Sequence, residues 1–308
     1  MIIDAHAHIM RRVQGQSSAG PTRSLAYGKV MRGNDEVFRM LPPMCRETSF
    51  PPEVLLENMD WAGVEKTVLL QGPFYGEANE YLWQAVKQWP DRFIPAAYVD
   101  PRAPDARDTF RKVTEEYGFP ILKFEMSEAA GLTGLYPDLR LDEQAFAWIW
   151  EAAERQHLVV TLDLGAIGNR AYQTAALKDI LERHPKMRVV LAHLAYPPIG
   201  YEQPEQLEPV WEEQLLLARN PNVWLDLSAL PAHSTRDDYP YPTARRYIQR
   251  AVDLVGADKI MWGSDAPGVL QHATYPQLLV YVTRYCDFLA PAELKKILGE
   301  TAWAVYGK

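Results

Sequence analysis

The sequence predicts a (β/α)8 barrel with a long insertion after its first strand, and three observations carry that prediction. Eight short apolar runs alternate with longer amphipathic segments along the 308 residues, no glycine-rich phosphate turn follows any run, and most runs end in His, Asp, Lys or Glu. Alternating strands and helices imply parallel βαβ units, and eight of them close most naturally into a barrel whose active site is built at the carboxyl ends of the strands. An open doubly wound sheet would want a Gly-rich turn that this chain lacks. No boundary and no repeat beyond the βα unit divides residues 1–308, so a single domain is expected.

The first strand lies in MIIDAHAHIM, where period-two alternation puts Asp4, His6 and His8 on one face and Ile3 and Ala5 on the other. The next seven are read at Lys66 to Gln71, Phe93 to Val99, Ile121 to Glu125, Val159 to Asp163, Arg188 to His193, Val223 to Leu227 and Lys259 to Asp265. Their near-continuous Val, Ile and Leu suits strands buried on both faces. Helical periodicity runs through PPEVLLENMDWAGV, EANEYLWQAVKQWP, DARDTFRKVTEEYG, LDEQAFAWIWEAAERQ and TAALKDILERHP, several closed by Gly or Pro. Weaker helices are read at Glu208 to Ala218 and Thr243 to Val255, and LKKILGETAWAVYG ends the pattern. Between His8 and Pro51 the rhythm breaks into mixed Gly, Pro, Ser and Arg. This insertion, about residues 10–50, is expected to be a long functional loop over the barrel mouth.

With 47% hydrophobic and 23% charged residues the chain suits a large buried core. A net charge of −8 without a basic block argues against a nucleic-acid surface, and no apolar stretch approaches the roughly 18 residues of a membrane span. No leader pattern opens the chain, so a cytoplasmic protein acting on a small molecule is expected, with a homo-oligomer left open. Cys45 and Cys286 are far apart and lack metal-knuckle spacing, which fits reduced thiols.

The strand ends collect an unusual ring of polar groups: His6 and His8, then Lys123 and Glu125, Asp163, His193, Asp226 with Ser228, and Asp265. Unpaired charges inside a barrel cost several kcal/mol each, so such a ring persists only if its members pair, bond to water or bind a metal. Neutral imidazoles beside carboxylates are good ligands for borderline divalent ions. Asp4 is expected to hydrogen-bond within the barrel floor, and His157 and His184 fall at helix ends.

The stretches DAHAHI, LVVTLDLG, VVLAHLA, VWLDLSAL and IMWGSDAP, supported by WPDRFIPAAYVDP, YPDLRLDE and LGETAWAVYG, resemble the amidohydrolase superfamily over nearly the whole chain. The resemblance is to the branch called amidohydrolase family 2, which includes aminocarboxymuconate semialdehyde decarboxylase and related hydrolases. It implies one divalent metal, zinc first with manganese as the alternative, held by His6, His8 and Asp265, with His193 acting on substrate. The family's fifth-strand His is replaced here by Asp163, which joins the expected ligand set because a carboxylate also binds zinc at about 2.0–2.2 Å. The added negative charge favours a harder ion.

Lys123 and Glu125 are read either as substrate contacts or as charges compensating their neighbours. Arg23 and Arg32 in the insertion suit a substrate carboxylate, which a guanidinium fork matches. His233 and His272 fall in loops at the mouth, where they contact substrate or face solvent. The resemblance implies a metal-dependent hydrolase of a small carboxylate-bearing lactone, ester, amide or activated C–C compound, with Asp265 taking the proton of the attacking water and His193 polarising the carbonyl. The alternatives are a non-oxidative decarboxylase using the same residues, a metal-independent lactonase, and a non-catalytic binding barrel. Thr301, where the family commonly has Asn, supports the last.

Overall fold

The computed structural model describes residues 1–76, 78–234 and 236–307. Strand β1 (Ile3–Ala7) is followed by four short strands of the insertion, β2 (Gln16–Ser17), β3 (Gly20–Ser24), β4 (Lys29–Arg32) and β5 (Glu36–Arg39). Then come β6 (Lys66–Leu69), β7 (Phe93–Tyr98), β8 (Ile121–Glu125), β9 (Val159–Asp163), β10 (Arg188–Leu191), β11 (Val223–Asp226) and β12 (Ile260–Met261), with helices between them. Strands β1 and β6 to β12 form one parallel sheet in chain order. Its two ends meet where the Ala5 N–H donates to Trp262 O at 2.9 Å and the Asp265 N–H donates to His6 O at 2.7 Å, which closes a (β/α)8 barrel. Right-handed βαβ crossovers leave helices as an outer ring.

The core has two parts. One fills the space between strands and helices, with Phe146 and Trp150 stacked 4.8 Å apart against Phe124. The other fills the lower barrel with Ile3, Val68, Ile121, Val159, Val190 and Met261, closed by Tyr306 of the last helix. An apolar floor leaves polar side chains only at the carboxyl end, where the chemistry is expected.

Three elements differ from the sequence reading. The eighth strand pairs regularly only at Ile260 and Met261, because the chain must then pass close over the barrel interior. A Cβ at Gly263 would lie 2.9 Å from the His6 Cβ and 3.1 Å from the Ser228 Cβ, so only glycine fits there. The insertion is an ordered antiparallel sheet, β2-β3-β4-β5, and not a loop. Its hairpin from β4 to β5 turns on Gly33, at φ 61° and with a Cβ position only 2.2 Å from Ala19 O. That turn chemistry was present in the GND sequence, but short polar strands carry little periodicity. Thr22 Oγ1 donates to Phe74 O at 2.8 Å and Met10 pairs with Phe50, so the sheet is tied to the barrel at its base. A helix at Tyr275–Tyr285, capped by Thr274 and Gln277, also went unread. Cys45 and Cys286 are both free thiols. No helix among the described residues is long and apolar enough to cross a membrane.

Candidate active site

Parity delivers the polar groups of β8 and β9: Ile121 and Val159 point into the lower barrel, so Lys123 with Glu125 and Asp163 stand above them on the same faces. On β1 the expected alternation fails: Ile3 and Ala5 line the barrel core, Asp4 turns away to Tyr275, and a register shift between Asp4 and Ala7 frees His6 and His8 for the mouth, while His193 and Asp265 arrive at positive φ. They surround a cavity of about 290 Å³ at the carboxyl end, roofed on one side by Arg32, Phe38 and Met40 of the insertion.

Hydrogen-bond acceptors fix the histidines at the end of β1. His6 Nδ1 lies 3.0 Å from Asp226 Oδ2, and His8 Nδ1 lies 2.8 Å from Leu70 O. Both partners can only accept, so each Nδ1 carries a proton and each ring turns its Nε2 toward the cavity. Burial holds the His6 pKa at about 4 despite Asp226, which keeps that ring neutral. The two Nε2 atoms then face Asp265 Oδ1, at 3.6 Å from His6 and 3.2 Å from His8. Burial would raise Asp265, but the hydrogen bond to His8 and the nearby His193 hold it at about 2, so it is ionised. Two imidazole nitrogens and a carboxylate oxygen thus converge, and a divalent cation could take the place of the proton that His8 Nε2 shares with Asp265 Oδ1. A tetrahedral zinc with bonds of about 2.0–2.1 Å has ligand-to-ligand edges of about 3.3 Å, so the donor set fits a divalent metal.

His193 is held differently. Its Nε2 lies 3.1 Å from Asp163 Oδ2 and its Nδ1 2.9 Å from Ser228 Oγ. Ser228 Oγ gives its own proton to Asp226 Oδ1, so it accepts from Nδ1, and both ring nitrogens of His193 are donors. The ring is therefore an imidazolium. Burial opposes that charge, but Asp163 outweighs it and lifts the pKa to about 9. Asp163, which burial alone would raise, is held well below the ordinary carboxylate range by the same contact. Glu125 goes the other way: burial and the Asp163 charge raise it to about 8, so it is protonated at neutral pH. Lys123 Nζ is buried 3.7 Å from Glu125 Oε2 and has no hydrogen-bond partner.

The backbone at His193 is strained. His193, Leu194, Ala195 and Tyr196 have φ of 56°, 53°, 58° and 59°, a left-handed turn without a glycine. Each such residue costs about 1–2 kcal/mol, so the surroundings must enforce it. Trp211 Nε1 donates to Leu194 O at 2.8 Å and Gln214 Nε2 to Ala195 O at 3.3 Å. The turn brings both His193 and Tyr196 to the cavity. Ala195→Gly is expected to keep or raise the melting temperature, whereas Ala195→Val, β-branched and buried at positive φ, should lower stability by about 2 kcal/mol or more, as thermal or urea unfolding would show.

Of the residues singled out from sequence, His6, His8, Lys123, Glu125, Asp163, His193, Asp265 and Arg32 meet around this cavity. Asp163 turns to His193 and lies outside the group formed by His6, His8 and Asp265. Arg23 does not reach the cavity: Thr22 takes the inward position on β3, and alternation sends Arg23 to the surface, with Nη2 3.2 Å from Met31 Sδ. His272 is exposed at the end of a turn. His233 lies behind Tyr196, its ring stacked 5.0 Å away, and burial with the His193 charge lowers it to about 4. Asp4 is fully buried, bonded to Tyr275 and to the Ser264 N–H, and burial raises it to about 6. Sequence reasoning assigned no role to Asp226 and Ser228, although both were visible at the end of β11. Gln71 closed the second apolar run as the other polar residues closed theirs but was not singled out, and Tyr75 and Tyr196 carried no signal.

A closed (β/α)8 barrel with paired imidazoles on its first strand and an aspartate after its eighth is the architecture of the amidohydrolases. The chain matches the amidohydrolase family over residues 3–308, and it belongs to that family. Among curated proteins it is similar to L-fucono-1,5-lactonase of Burkholderia ambifaria, 25% identical over 311 residues that span 99% of this chain and 94% of that protein. Among solved structures it resembles an amidohydrolase from Burkholderia multivorans with bound zinc, at a TM-score of 0.73 and 19% identity, covering 99% of each chain. It also resembles 5-carboxyvanillate decarboxylase from Sphingomonas paucimobilis, at a TM-score of 0.55 and 16% identity, covering 82% of this chain and 81% of that one. At these identities the structural likeness is one of fold.

Proposed function

We propose that this enzyme is a metal-dependent lactonase that opens the ring of a small lactone to its hydroxy acid. The observation that carries the reading is the meeting, at one small cavity, of the His6, His8 and Asp265 ligand atoms with the imidazolium of His193, whose ring lies 4.8 Å from that of His6. Similarity to a lactonase over the full chain directs the choice of bond. His6 Nε2, His8 Nε2 and Asp265 Oδ1 would hold the cation. When bound, a divalent cation polarises an acyl oxygen and makes water more acidic. Asp265, ionised and at the cavity wall, takes a proton from the attacking water as its oxygen bonds to the acyl carbon. The positive charge of His193 steadies the charge that grows on the acyl oxygen, and Asp265 passes the proton it has taken to the ring oxygen as the C–O bond breaks. Asp163 keeps His193 protonated for that role.

Hydrolysis of a panel of 1,4- and 1,5-lactones, followed by acid release with and without chelator, tests this reading. Ring opening that falls at least tenfold on chelation and returns with zinc or manganese is expected. Carbon dioxide from an aromatic or semialdehyde acid, with no lactone turnover, would assign the decarboxylase instead, and an undiminished rate after chelation would remove the metal from the reaction.

A further inference from the structure

Three buried polar atoms on residues that line the cavity have no hydrogen-bond partner among the described residues: Lys123 Nζ, Gln71 Oε1 and Arg32 Nε. Lys123 and Gln71 are themselves 1% and 0% exposed. Buried polar groups are seldom left unsatisfied, so such a set marks what a ligand must supply. Lys123 and Arg32 offer cationic donors and want an anion. Gln71 offers only its carbonyl oxygen there, because its Nε2 donates to Ile9 O at 2.9 Å, so it wants a hydroxyl.

The two cations stand at different depths. Lys123 pairs in register with Thr161, one step below the Glu125 and Asp163 pair, and so lies toward the barrel floor. Arg32 comes from β4 of the insertion, on the opposite, outer side. Its fork is aligned before any ligand arrives: Nη2 is paired with Glu36 and the guanidinium lies 4.8 Å from the Phe38 ring centroid. That fixes the plane of the fork and leaves Nε free to donate, so less side-chain entropy is lost when an anion binds.

Resting on the lactonase reading above, we infer that the substrate is an acid-sugar lactone: a hydroxylated ring that carries a free carboxylate, read by Arg32 of the insertion sheet, with Lys123 meeting another ring or acyl oxygen deeper in the cavity and a hydroxyl donated to Gln71 Oε1. A neutral sugar lactone would leave Lys123 Nζ and Arg32 Nε without an anionic acceptor when it displaces water from the cavity. The insertion then acts as the charge filter of the site, and Arg32 is its specificity-determining residue.

The test compares glucaro-1,4-lactone, which bears a carboxylate, with glucono-1,5-lactone, which does not, and follows binding of the open products glucarate and gluconate by calorimetry. The protein should favour the anionic lactone by at least tenfold in kcat/KM. Arg32→Gln should shrink that preference by about 10- to 100-fold, the range of a lost charge-assisted hydrogen bond, chiefly through KM. Arg32→Lys should restore part of it. A neutral lactone turned over as well as the anionic one, or a loss in Arg32→Gln that is equal for both, would overturn the inference while leaving the lactonase reading intact. If neither lactone is hydrolysed yet glucarate binds at least tenfold more tightly than gluconate in an Arg32-dependent way, the charge filter stands and the lactonase reading falls.

Discussion

Replacing His193 with asparagine is expected to lower kcat by about two to four orders of magnitude while the protein keeps its bound cation. Asparagine still donates a hydrogen bond toward Asp163, so the shape of the site survives. It cannot carry the proton and positive charge that Asp163 and the Ser228 hydroxyl impose on the imidazole. The pH profile makes the difference specific. The pKa of His193 is raised to about 9, so the acid form is complete at low pH and disappears as pH rises through that value. The parent rate should therefore fall on the alkaline side near pH 9, and the variant should lose that limb. Metal analysis of the purified variant is the companion measurement. A variant stripped of its cation would make His193 a ligand and would undo the division of labour proposed for the site.

What could be read from the chain before folding was the alternation, and with it nearly everything that depends on parity. Strands β8 and β9 fall where the apolar runs placed them, and the polar groups at their ends meet because interior-facing positions of neighbouring parallel strands stack in layers. Pairwise relations were less accessible. His6 and Asp226 share a hydrogen bond across 220 residues, and no local pattern names that partner. Asp163 looked like a substitute ligand because it occupies the place of one, but which neighbour a carboxylate turns to depends on a separation of a few ångströms, and here His193 is at 3.1 Å. The left-handed turn at HLAY was hidden for a different reason: it contains none of the residues that favour positive φ, and side chains from Trp211 and Gln214 hold it open. Asp265 shares this feature, at φ 60°. His193 and Asp265 are thus both held by tertiary contacts in a backbone region that is uncommon outside glycine, which is where local reasoning is expected to fail.

Asp226→Asn is expected to weaken the cation and the fold together, because one buried carboxylate organises both candidate centres. Its Oδ2 accepts from His6 Nδ1, while its Oδ1 accepts from the backbone N–H groups of His193 at 3.1 Å and Ser228 at 3.2 Å. An amide leaves either His6 or this cluster facing a donor where an acceptor stood. Since Asp226 is completely buried, that mismatch has no water to relieve it. Partners that orient a metal-binding imidazole are typically worth 10- to 100-fold in affinity, and breaking a buried ionic network costs about 3–5 kcal/mol. Zinc affinity by competition with a chromophoric chelator and denaturant unfolding read the two effects separately. The decisive comparison is the double variant. If Asp226 acts on the cation through His6, then adding Asp226→Asn to His6→Ala should change zinc affinity little, although His6→Ala alone weakens it by more than 100-fold. Fully additive losses in the double variant would mean that Asp226 reaches the cation by another route, through His193 or as a ligand itself.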